Sequence, residues 1–182
     1  PMEHPQIKLG PIPELADETI EITQPALRYP DQSMYCRQYF KHYEVGSYRH
    51  RPVLFEPADI LPYGQTPTTP AMTSFRPELF TPALSPITNL MPTLATAPIV
   101  EESNGMFSFT VDGMPILGES PMVQGFWTAE AVWVAHSAGV GKVMAEWIIE
   151  GSPSLDLHEA DISRFHPYQM NSDYIKSRTA QQ

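Results

Sequence analysis

The sequence predicts an α+β fold, with an antiparallel sheet in the first half of the chain and a strand–helix unit in the second. Two runs carry the first half of that expectation. Ser33–Phe40 and Tyr43–Tyr48 are rich in aromatic and β-favouring residues and lie a short turn apart. The second half rests on the apolar run GFWTAEAVWVA, which enters a small-residue turn, HSAGVG, and then a helical stretch closed by Gly151 and Pro153.

Bulk properties narrow the function classes. The 182 residues, 42% hydrophobic and 18% charged, allow one domain or parts of two. No run of about 18 apolar residues exists to span a bilayer. A net charge of -10, with 11 scattered Lys and Arg, excludes a nucleic-acid footprint and leaves small molecules or proteins as partners. Cys36 is the single cysteine, so the chain has no internal disulfide and no multi-cysteine metal site, which suits a reducing compartment. The opening PMEHPQIKLG has neither an initiating Met nor a signal pattern, and the end SDYIKSRTAQQ is polar and helical, so the chain reads as a fragment.

In order along the chain, residues 1–25 read as extended and interrupted by Pro5, Pro11, Pro13 and Pro25, with a strand over Glu18–Thr23. In the next run Met34, Cys36 and Gln38 share one face. Tyr35, Arg37 and Tyr39 share the other, which either looks into a cavity or is a solvated sheet face. Nine prolines fall between Pro57 and Pro98, yet Leu79, Phe80, Ala83, Leu84, Ile87, Leu90, Met91 and Leu94 recur at helical spacing, which predicts broken helical turns on a core. A strand then ends near Thr110, Asp112-Gly113 makes a tight turn, and Ile116-Leu117 continues as strand or loop. GFWTAEAVWVA reads as a strand buried on both faces. Ser137 is the expected N-cap of a helix running to Glu150, with Val140, Val143, Met144, Trp147 and Ile148 as its buried stripe.

Several familiar motifs fail on spacing. A phosphate-binding loop would need Gly at 136 and Ser or Thr after Lys142, where His136 and Val143 stand. G-x-G-x-x-G from Gly139 would need Gly at Met144. His136-Ser137 lies in no nucleophile elbow, and LHEADISRFH has Ile162 where a zinc-binding helix would have His. His42 and His50 stand alone, so no metal site is expected. What remains is a helix N-terminus among Ala135, Ser137, Ala138, Gly139 and Gly141. That is either a cradle for an anionic or electron-rich group or a plain strand–helix connection.

NGMFSFTVDGMPILGES followed by GFWTAEAVWVAHSAGVGKVMAEWIIEG resembles the C-terminal part of the flavin domain in the D-amino-acid-oxidase-like superfamily, nearest to dimethylglycine and sarcosine dehydrogenases and oxidases. The resemblance extends upstream through YPDQSMYCRQYFKHYEVGSYRHRP and downstream through DLHEADISRFHPYQMNSDYI. It implies an incomplete α+β architecture: an antiparallel substrate-domain sheet over 1–98, the last strand and helix of a Rossmann-like FAD domain over 99–165, and the start of a following domain over 166–182. It also implies that Val132, Trp133, Val134, Ala135, His136, Ser137 and Ala138 contact FAD, with Ala135 where relatives often have Thr. Tyr35 would line the flavin and substrate pocket, and His4 would stand in an active-site motif whose next two residues are here Pro5 and Gln6. His4 and Tyr35 are therefore the implied catalytic residues, and Arg37 a candidate for a substrate carboxylate.

The implied reaction is oxidation of the N-methyl group of a small amino acid by hydride transfer to FAD. An electron-transfer flavoprotein is the implied partner, tetrahydrofolate is implied as a cofactor only for regions outside these residues, and the implied location is the bacterial cytoplasm or the mitochondrial matrix. The competing expectation is a non-catalytic flavoprotein piece acting as a structural or interaction subunit.

Overall fold

A computed structural model describes residues 1–181. It forms two compact units, one of Pro1–Phe107 and one beginning at Ser108.

The first unit is built on a fully antiparallel sheet of β1 (Met2–Leu9), β2 (Leu27–Tyr29), β3 (Met34–Tyr39), β4 (His42–Ser47), β5 (Met72–Thr73) and β6 (Ile99–Phe107), in the order β2-β3-β4-β1-β6-β5. The two expected strands are present, and Phe40, in a left-handed conformation, makes the tight turn between them. Residues 1–25 differ from expectation. Their strand is β1, in the middle of the sheet, and Glu18–Thr23 forms none. Pro5 is tolerated in β1 because pairing with β4 begins only at Gln6, opposite Gly46. The backbone of residues 18–24 bonds largely to side chains, with Thr19 and Ile20 donating to Glu18 and Thr23 and Gln24 to Gln38, while the Glu21 carbonyl accepts from the Phe40 amide.

One sheet face carries Ile7, Leu9, Met34, Cys36 and Val45 against Phe80, Ala83 and Ile87 of α1 (Pro77–Leu90). Each large side chain in this core contributes about 2 to 3 kcal/mol by burial. The proline-rich stretch is thus a continuous 14-residue helix rather than broken turns. Pro77 occupies the first turn, where no amide bond is lost. Pro82 lies on the exposed side and Pro86 is half-buried, away from the Phe80–Ala83–Ile87 stripe, so water can satisfy the carbonyls they leave free. Leu90 ends the helix exposed, and Leu94 is buried from the following 3₁₀ turn.

The strand at Ile99–Phe107 pairs with β1 along its length and so belongs to the first unit, placing the break between units after Phe107 rather than after residue 98. The second unit opens with the expected Asp112-Gly113 turn, where Asp112 accepts from Thr110 and the Met114 amide. A hairpin of β7 (Ile116–Glu119) and β8 (Trp127–Glu130) follows. The long buried strand expected over GFWTAEAVWVA is not found. Strand pairing ends at Glu130, Ala131 takes a left-handed turn, and the exposed side chains of Phe126, Trp133 and Val134 leave the run without the two covered faces its composition suggested.

α2 (Ser137–Glu150) ends on a left-handed Gly151, as expected. Its buried stripe is narrower than expected, with Val143 and Met144 buried, Val140 and Trp147 packed at the edge and Ile148 exposed. Trp147 packs against Gly118, where any β-carbon would come within 2.7 Å of the indole. The chain closes with α3 (Ser172–Thr179), capped by Asn171.

Candidate functional site

Period-two alternation sends Ile7 and Leu9 of β1 into the core and His4 to the opposite face. On that face His4 Nε2 lies 2.9 Å from the Tyr35 hydroxyl. The imidazole stacks on Tyr48 with ring centres 4.2 Å apart, and Phe107 tilts against it at 5.0 Å. Tyr35 reaches His4 by lying across the backbone of its cross-strand neighbour Gly46. A β-carbon there would fall 2.2 Å from the phenol ring. The backbone opposite His4 is likewise a glycine, Gly105.

His4 is 4% exposed. Burial, with a smaller push from His50, lowers its pKa to about 4, while the Ser47 backbone acts in the opposite sense. No acceptor or donor meets hydrogen-bond geometry at Nδ1, so the Ser47 influence is weaker than a full bond. His4 is therefore neutral at pH 7. Burial also raises the Tyr35 hydroxyl to about 12, so the phenol keeps its proton.

His4 has a lower pKa folded than unfolded, so its contribution is fully present above about pH 6.5 and is lost as pH falls towards 4. Between pH 7 and pH 5 this group should remove about 2 kcal/mol from unfolding free energy. His4→Gln should flatten the pH slope by that amount in urea titrations at the two pH values. Parallel slopes for the two proteins would rule out a buried neutral imidazole.

Arg37 shares the face but is already engaged. Its guanidinium donates to Glu44 at 2.7 Å from both Nε and Nη2, and to Glu21 at 3.1 Å. Lys8 pairs with Glu101 and Glu44. Arg28, opposite Tyr35 on β2, is exposed and, among the described residues, forms no ion pair.

In the second unit, Trp133 to Gly139 form an exposed ribbon, with Val134 90% exposed. The N-cap position of α2 is His136 rather than Ser137, and no side chain caps its first amides. Ser137 Oγ donates back to the Val134 carbonyl at 2.8 Å, so it neither caps the helix nor bonds to His136. The first turn has no acidic residue, and a β-carbon at Gly139 or Gly141 would meet nothing within 4 Å. Uncapped amides, open space and absent negative charge fit the electron-rich edge of a flavin. Among the described residues no group of three or more His, Cys, Asp or Glu could hold a metal, and no helix is long and apolar enough to cross a membrane.

The structure thus joins His4 to Tyr35, sets Arg37 in an ion-pair network, and presents 133–138 as one exposed segment. The sequence reading missed Tyr48, Phe107 and Gly46. Only Gly46 left a signal, as an isolated glycine inside a strand, which marks a close approach.

Residues 150–182 match the family profile described as the FAD dependent oxidoreductase central domain. The chain is similar to FAD-dependent oxidoreductases, among them dimethylglycine and sarcosine dehydrogenases. It is 29% identical over 174 residues to mitochondrial dimethylglycine dehydrogenase of Rattus norvegicus, covering 91% of this chain and 19% of that protein. The mitochondrial pyruvate dehydrogenase phosphatase regulatory subunit of Mus musculus is 35% identical over 102 residues, covering 54% of this chain and 12% of that protein. The fold is that of L-proline dehydrogenase from P. horikoshii, with a TM-score of 0.64 at 21% identity over 91% of this chain and 40% of that one. The chain therefore spans about a fifth of the length of the first of these curated relatives.

Proposed function

We propose that the protein oxidises N-methyl groups of small amino acids, of the dimethylglycine or sarcosine type, with Pro1–Phe107 forming part of the substrate-binding domain. The following residues to about 165 would be the C-terminal part of the FAD-binding domain, and 166–182 the start of the next. The observation that carries the reading is the His4–Tyr35 pair, a neutral imidazole bonded to a phenol within an aromatic corner on the open side of the sheet.

FAD, when bound, supplies the hydride acceptor. In this reading Val132, Trp133, Val134, Ala135, His136, Ser137 and Ala138 hold one edge of the ring, with the first amides of α2 stabilising negative charge there. In this reading His4 Nε2 accepts the Tyr35 O–H. The phenol oxygen then turns its lone pairs outward, where they accept from the N–H of the arriving ammonium; after that proton leaves to solvent, a neutral dimethylglycine nitrogen has no N–H to donate. With its pKa near 4, His4 is too weak a base to store the amine proton, and its work is to fix the phenol. Tyr48 and Phe107 lower the local polarity, which favours the unprotonated amine that oxidation requires. Arg37 is read as a structural residue, because Glu44 and Glu21 occupy its donors.

A second reading has its own support: the relative named as a phosphatase regulatory subunit suits a non-catalytic, interacting flavoprotein. Anaerobic mixing of the full-length, FAD-loaded protein with N,N-dimethylglycine or sarcosine separates the two. Bleaching of the oxidised flavin band is expected. A protein that holds FAD yet shows no bleaching with either amine would transfer the case to the second reading.

A further inference from the structure

We propose that His50 is the outer end of a proton relay, which runs from Tyr35 through His4 and one bridging water and carries the amine proton out to solvent. The inference rests on the N-methyl amine reading above and extends it, because an ammonium substrate must lose a proton before hydride can leave its methyl group. The chain after β4 folds back over the site. The Arg49 amide donates to Ser47 Oγ at 3.0 Å, Tyr48 stacks on the His4 ring at 4.2 Å, and the Val53 carbonyl accepts from the Glu3 amide at 3.0 Å. His50 lies between these anchors, after the ring that covers His4 and before the carbonyl bound to the residue preceding His4. Its charge is accordingly felt at His4.

Each of the two rings keeps one buried nitrogen, His4 Nδ1 and His50 Nε2, without a hydrogen bond to any described residue. The two nitrogens are complementary. His50 Nδ1 lies 3.0 Å from the Arg51 carbonyl, which can only accept, so Nδ1 carries the hydrogen and Nε2 of the neutral ring is an acceptor. With its Nε2 accepting from Tyr35, neutral His4 carries its hydrogen on Nδ1 and is a donor there. A buried donor and a buried acceptor are costly to leave bare, and one water satisfies both. The transfer then balances without a doubly protonated His4. The ammonium gives its proton to the Tyr35 oxygen as the phenol hydrogen moves to His4 Nε2. The Nδ1 hydrogen moves to the water, and a water hydrogen moves to His50 Nε2. The amine is left neutral, Tyr35 is still a phenol, His4 is still neutral with its hydrogen on Nε2, and His50 is an imidazolium. His50 is half-buried, so it passes that proton to bulk water. This order suits a His4 whose burial disfavours holding charge.

The test is anaerobic stopped-flow mixing of the full-length, FAD-loaded protein with N,N-dimethylglycine, reading flavin bleaching and, with an indicator dye in weak buffer, release of the amine proton. His50→Ala should slow both signals together by at least ~10-fold while the dissociation constant, taken from the concentration dependence, stays within about 2-fold. Added imidazole should return most of the lost rate, since it restores a titrating nitrogen at the vacated place. His50→Gln offers the water an acceptor but takes up no proton, so it should be as slow as His50→Ala. Wild-type rates in either variant, no response of His50→Ala to imidazole, or binding weakened in step with the rate would overturn the relay and leave the oxidation reading standing. A wild type that holds FAD and neither bleaches nor releases a proton overturns both.

Discussion

Gly46→Ala should abolish most amine oxidation while leaving the sheet folded. The added methyl would lie 2.2 to 2.4 Å from three atoms at the tip of Tyr35. Those atoms belong to a side chain that can swing, and Gly46 has no left-handed backbone constraint, so the ring moves and the strand stays. The 2.9 Å link to His4 is then lost and the phenol no longer aims at the substrate. A misplaced catalytic group costs on the order of 100-fold. The expected outcome is a kcat/KM lower by about that factor, with a stability loss of about 1 to 3 kcal/mol from overpacking. Tyr35→Ala in the Gly46→Ala background should then cost little more, since both act on one contact. Near wild-type turnover in Gly46→Ala would show that the phenol's position is immaterial.

Gln38→Leu should give the largest stability loss. The Gln38 carboxamide is 0% exposed, and both its oxygen and its nitrogen are hydrogen-bonded. Its oxygen accepts from the Thr23 amide at 2.8 Å, the Thr23 hydroxyl at 2.9 Å and the Gln24 amide at 2.9 Å, and its nitrogen donates to the Phe40 carbonyl at 3.0 Å. Leucine matches the volume and satisfies none of these. Each buried group left unpaired costs about 1 to 3 kcal/mol, offset in part because residues 23 and 24 can turn to water. A net loss of about 3 kcal/mol in urea unfolding is expected. Residues 18–24 should also become the first site of proteolysis, as no strand pairing holds them. A change below about 1 kcal/mol would mean that the loop is held by other contacts.

How much of this was legible beforehand depends on whether the signal was local. β3, β4 and the C-terminal end of α2 follow from alternation and from a glycine stop, and both patterns survive folding because neighbours along the chain dictate them. β1 was hidden by Pro5, whose tolerance depends on where pairing with β4 begins, a fact about another strand. α1 was masked by prolines that turned out to lie off its buried stripe. The apolar run before α2 misled in the other direction, since its hydrophobic side chains are exposed within their own unit.

The site divides the same way. Tyr35 was on the predicted non-core face, but His4 lies 31 positions away in sequence and no spacing rule joins the two. The resemblance implied a separate role for each, and the fold sets their side chains 2.9 Å apart. Arg37 and Arg28 look alike in sequence, and only their partners distinguish them.

The alternation in β1, β3 and β4 separates two kinds of evolutionary freedom. Residues 7, 9, 34, 36 and 45 answer to the core, and residues 4, 28, 35 and 37 answer to the open face. Point changes at the second set can retune ligand preference without spending the stability held by the first. A one-residue insertion in β1 would exchange the faces of that strand's own residues beyond it, setting imidazole into oil or isoleucine against solvent. Substrate range should therefore drift by substitution in this sheet, and indels should be confined to the loops that join its strands.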